Sequence, residues 1–88
     1  MKKLLATLKA AEKRLDKADR ALFNAADDAD TTELERISDE AFDAVSEAQI
    51  ALVNAICKVS RGMIDNKTAR LMLLTKRAEL EALINRMA

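Results

Sequence analysis

Asp28, Asp30 and Thr32 have the spacing of the first ligands of a calcium-binding loop, and Asp39 falls at its twelfth position. Such a loop gathers oxygen ligands around one hard cation and needs a glycine at its sixth position for the sharp turn. Glu33 stands there instead, where a helix should already be starting, so the residues read as an acidic turn with a cap. Cys57 is the sole cysteine and lies in the apolar run IALVNAICKV, the setting of a buried, inert thiol rather than a nucleophile. It excludes an internal disulfide. The absence of histidine removes the ordinary acid–base group of neutral pH, the histidine triad and the Glu-x-x-His pattern of carboxylate-bundle metal centres. A single glycine leaves no phosphate-cradling loop. The expectation is no catalytic residue, no metal site and no cofactor.

Two further arrangements bear on chemistry. Lys76 is the one cation inside an otherwise apolar stripe, between Leu73 and Leu80. An all-helical enzyme acting by charge alone, in the style of the helical chorismate mutases, needs several Arg and Lys directed into a pocket. One lysine snorkelling to the stripe's edge is the simpler reading. Around Gly62 a helix-turn-helix is conceivable, with Lys67, Arg70 and Arg77 on the second helix. The preceding helix is too long for that motif, and the supposed recognition helix is apolar where it should be exposed.

The elements that would position these groups are helices. Half of the 88 residues are hydrophobic, proline is absent, and Ala, Leu, Lys, Glu and Arg dominate. Met1, Leu4, Leu8, Ala11, Leu15, Ala18, Leu22 and Ala25 alternate spacings of three and four, a heptad seam that predicts a helix over about 4–26. Its alternating leucine and alanine layers suit closely packed antiparallel helices, resembling in general style the small hairpin dimers that regulate RNA, without a motif that carries that function over. Thr32 with Glu35, or Asp30 with Glu33, matches a capping box for a second helix over about 33–61, ended by Gly62 in a left-handed cap. Asp65 or Asn66 caps a third over about 66–87. Short loops make neighbours antiparallel. The expected fold is all-α: one domain, an antiparallel three-helix bundle or long hairpin with a third helix. Phe23 and Phe42 read as core.

Apolar residues exceed what one seam can use. The second helix is one-sided through Leu34, Ile37, Ala41, Ala44, Val45 and Ala48, then adds Ile50, Val53 and Cys57 on its other side. In RLMLLTKR the third helix carries Leu71 to Leu74 around its circumference, beside a main stripe of Ala69, Met72, Leu73, Leu80, Leu83, Ile84 and Met87. The surplus of Ile50, Val53, Leu71, Leu74 and Ala78 is the expected interface of a homodimer or the seat of a protein partner.

Charge is balanced in sum and lopsided in place. Residues 1–20 hold seven basic and three acidic groups, 21–57 one and nine, and 58–88 seven and three. An up-down-up path gathers Lys2, Lys3, Lys58, Arg61, Lys67 and Arg70 at a basic pole, with Asp27, Asp28, Asp30, Glu33 and Glu35 at the other end. Solvation or steering of partners is favoured over nucleic-acid contact, because the chain has no net charge and no tyrosine or tryptophan to stack. No window approaches the roughly 18 apolar residues of a membrane span, and charges interrupt the signal-like start. A cytoplasmic protein of bacterial or phage type is expected. Its function would be that of a non-catalytic adaptor, chaperone-like factor or regulator, with nucleic-acid binding as the alternative.

Overall fold

The computed structural model describes residues 1–26 and 29–87, without the side chain of Met87. Asp27 and Asp28 of the expected acidic pole and turn, and the stripe position of Met87, lie outside the described side chains. Four helices follow one another: α1 (Lys2–Phe23), α2 (Thr32–Val59), α3 (Asn66–Thr75) and α4 (Arg77–Met87). No described residue lies in a strand. The helices build a rod of 52 × 20 × 18 Å, most of whose length is the α1–α2 hairpin.

Capping chemistry differs in detail from the expected boxes. Thr31 is the residue preceding α2, and the Asp30 carboxylate accepts the Thr32 backbone N–H at 3.0 Å and its hydroxyl at 2.7 Å. At the other end, Arg61 (φ 57°) and Gly62 (φ 82°) both take left-handed backbone, so glycine shares the reversal with a residue that adopts it at a cost. The Ser60 hydroxyl accepts the Ile64 N–H at 3.1 Å and braces the turn. Asp65 then caps α3 by accepting the Thr68 N–H at 2.7 Å.

The expected single third helix is broken. Lys76 has φ −132° and ψ 49°, with ψ roughly 90° from its helical value. Its N–H still donates to the Met72 carbonyl at 2.8 Å, the last bond of α3, and its carbonyl accepts the Leu80 N–H at 3.0 Å, the first of α4. No proline or glycine causes this. Thr75 donates its hydroxyl to the Leu71 carbonyl at 2.7 Å, a back-bond of the kind that bends helices. A straight helix would also centre the Lys76 charge on its buried stripe, a position that is costly without a partner. The bend turns Lys76 to solvent.

After this elbow α4 doubles back. Arg77 pairs with Glu12 and Glu81 with Lys9, so later residues of α4 meet earlier residues of α1. Met72 of α3 borders a small hollow with Leu83 and Arg86 of α4, which a continuous helix would hold several turns apart. Hence α3 packs on α2 and α4 on α1, both on one half of the hairpin.

That half holds the core. Leu5 and Leu8 of α1, Leu52, Val53 and Ile56 of α2, Ala69 and Leu73 of α3, and Leu80 and Ile84 of α4 are buried in one cluster. Toward the α1–α2 loop only Ala18 and Ala41 are buried. The expected full-length three-helix bundle is therefore a two-helix hairpin with a folded-back helix pair over one half. This corrects the reading of Phe23 and Phe42 as core. They are 89% and 60% exposed, because two helices alone cannot cover their own circumference.

Candidate interaction surfaces

The expected apolar interface is divided by the elbow. Val53 is only 3% exposed and belongs to the core, because α3 packs against that side of α2. Ile50, Leu71 and Leu74 remain 52%, 59% and 69% exposed. Ala78 is also exposed but stands beyond Lys76, on α4, so it no longer continues the line of Leu71 and Leu74.

The six cations of the basic pole, Lys2, Lys3, Lys58, Arg61, Lys67 and Arg70, are all exposed. They lie where the start of α1, the end of α2 and the start of α3 meet, and none makes an ion pair among the described residues. The opposite end is acidic but partly neutralised within itself. Arg36 pairs with both Glu33 and Glu40, and its hydrogen bond and charge hold the Glu33 carboxyl below the usual range. The Thr32 hydroxyl and backbone N–H do the same for Asp30. Among the described residues no cluster of three or more His, Cys, Asp or Glu could hold a metal ion.

A half-buried ionic clip fastens α4. Arg77 donates through both terminal nitrogens to Glu12, at 2.9 and 2.5 Å, the two-pronged geometry that suits guanidinium and carboxylate. Glu12 raises the Arg77 pKa further, while the Lys9 hydrogen bond lowers that of Glu81. Sequence reasoning missed this clip. The spacing of Lys9, Glu12, Asp16, Asp19 and Phe23 puts them on one face of α1 at steps of three and four, but says nothing of the helix that meets it.

The opposite face of the hairpin is open along its length. Two adjoining grooves of about 360 and 500 Å³ meet at Arg14, the first walled by Leu34, Ile37 and Ala41 and the second mainly by alanines such as Ala10 and Ala51. Arg14 and Lys17 are the cations lining them. A groove walled mainly by alanines between two helices has the shape used in helix-in-groove contacts.

No helix of the described residues is long and apolar enough to cross a membrane. No family model matches the chain, and neither the curated proteins nor the solved structures compared with it provide a match.

Proposed function

We propose that this chain is a non-catalytic helical interaction protein of the cytoplasm, an adaptor or regulatory factor that self-associates and binds a protein partner through exposed helix faces. The observation that carries the reading is the number of large apolar side chains left in water on so small a rod: Phe23, Ile37, Phe42, Ile50, Leu71 and Leu74 among them. Scattered exposed leucines are ordinary, but Phe23 and Phe42 share one face of the hairpin, and Leu71 and Leu74 lie on one side of α3. Ile50, Leu71 and Leu74 are the contact proposed for the second copy.

Leu74→Glu tests that contact. The substitution should shift sedimentation toward monomer or lower the melting temperature, and an unchanged sedimentation profile and melting curve count against the contact. A monomeric wild-type protein rejects self-association. An oligomer untouched by the substitution moves the contact elsewhere.

A second reading rests on the unpaired basic pole, which suits phosphate contacts. It predicts nucleic-acid binding whose log affinity falls linearly with log salt, and absence of binding at low salt removes it.

A further inference from the structure

The face of the hairpin that carries α4 continues past the elbow with nothing on it. On α1 the stripe Lys9, Glu12, Asp16, Asp19, Phe23 is covered at its first two members by α4 and bare below them. On α2 Val53, Gln49, Ser46 and Phe42 step by three and four with Glu35 two turns further on, and burial falls from Val53 through half-buried Gln49 and Ser46 to exposed Phe42 and Glu35. Ser38 donates its hydroxyl to the Asp19 carboxylate at 2.8 Å, which ties the two bare lengths into one face. Phe42 lies one turn beyond Ser38 on α2, and Phe23 one turn beyond Asp19 on α1. The bare face thus holds two exposed phenyl rings with Asp16, Asp19 and Glu35 between and beside them; one cation, Arg20, pairs with Asp16 at 3.2 Å.

We propose that this face is the seat of a cationic amphipathic helix from a partner protein. The proposal rests on the interaction-protein reading above and specifies one surface and one class of partner for it. Three observations fix the occupant. The seat is continuous with one already in use, where Arg77 sits on the Glu12 carboxylate while Leu80 and Ile84 are wholly buried. A helix entering the vacant part meets carboxylates again, at Asp16, Asp19 and Glu35, with the two phenyl rings as its apolar contacts. A second copy docked by this face would lay Asp16, Asp19 and Glu35 against their own equivalents, and like charges opposed across an interface disfavour that pairing. From Asp16 to Phe23 the vacant seat is about 10 Å long, room for two turns of a partner helix.

The test uses the full chain and three labelled synthetic helical peptides. The first has leucines at i, i+4, i+7 and i+11 with Lys and Arg elsewhere, the second replaces its cations with Glu, and the third scrambles the first. Fluorescence anisotropy should show the cationic amphipathic peptide binding at least tenfold tighter than either control. Phe42→Ser and the double variant Asp19→Asn, Glu35→Gln should each weaken it about tenfold, and salt should weaken it further. All three positions are solvent-facing or half-exposed, and an unchanged circular-dichroism melt shows that each variant is folded. Equal binding of the scrambled or acidic peptide, or affinity indifferent to both variants, overturns the proposal. Sedimentation of the peptide-free protein reports self-association separately, so this seat can fail while the broader reading stands.

Discussion

Asp65 shows how much a single side chain contributes to this fold. It sits at the start of α3 and accepts the Thr68 backbone N–H, with the Thr68 hydroxyl assisting, and these bonds hold its carboxyl below the ordinary range. A carboxylate whose folded pKa is depressed stabilises the fold fully above its unfolded pKa, near 4, and loses that contribution as pH falls through the folded value. Glu81, held down by Lys9, obeys the same sign. Melting temperature should therefore be flat from neutral pH to about 5 and fall as pH drops through and below about 4. Asp65→Asn keeps the capping oxygen but cannot titrate, so its acid limb should be shallower than that of the parent. A limb unchanged by this substitution would mean that other carboxylates govern acid unfolding. This residue was legible from sequence, because a capping aspartate before a polar first turn is a local pattern. The Arg77–Glu12 clip was not, since its members are far apart in sequence and meet only when α4 doubles back.

At the scale of elements, the elbow separates residues that periodicity alone ranks together. Leu73 and Leu80 lie in the expected main stripe and Leu71, Leu74 and Ala78 in the surplus beside it; Leu80 is wholly buried, Leu74 is mostly exposed, and Ala78 stands on the far side of the break. Leu80→Ala should cost about 2–5 kcal/mol of unfolding free energy by urea titration. At a concentration low enough for the chain to be monomeric, Leu74→Ala should fall within about 0.5 kcal/mol of the parent. Similar losses at both positions would mean that Leu74 is buried rather than exposed. The hairpin helices and the start of α3 could be read closely from heptad spacing and caps. The break could not, because Ala69, Met72, Leu73, Leu80 and Ile84 keep helical spacing straight through it. The sole hint was Lys76 itself, a charge in the middle of a stripe, which admits either snorkelling or a break. Phe23 and Phe42 were misplaced for a related reason. Both continue stripes that are buried higher up, and only the path of α4 decides where the covering stops.

For the whole molecule, the folded-back pair makes the two ends of the rod unequal. One holds nearly all the buried leucine, isoleucine and valine; the other is joined by Ala18, Ala41 and the Ser38–Asp19 bond. Local opening free energy follows buried apolar contact. Amide exchange should be slowest around Leu8, Leu52 and Ile56 and faster by orders of magnitude from Ala18 to Phe23 and from Leu34 to Ala41. Uniform protection along α2 would contradict this gradient. The leucine and alanine seam of α1 runs on without change and so carries no sign of this gradient.

The left-handed pair at Arg61 and Gly62 has a bearing on the order of assembly. Reversing the chain there within a few residues keeps α3 close in sequence to the end of α2 that it covers, so these contacts close a short loop. The α4 pairing with α1 spans most of the chain and closes a long one. Loop-closure entropy grows with that separation, which favours the α1–α2 hairpin and the α2–α3 corner as early structure, with α4 latching last. The ionic clip at Glu12 would then act on the final step, and its removal should show mainly as faster unfolding.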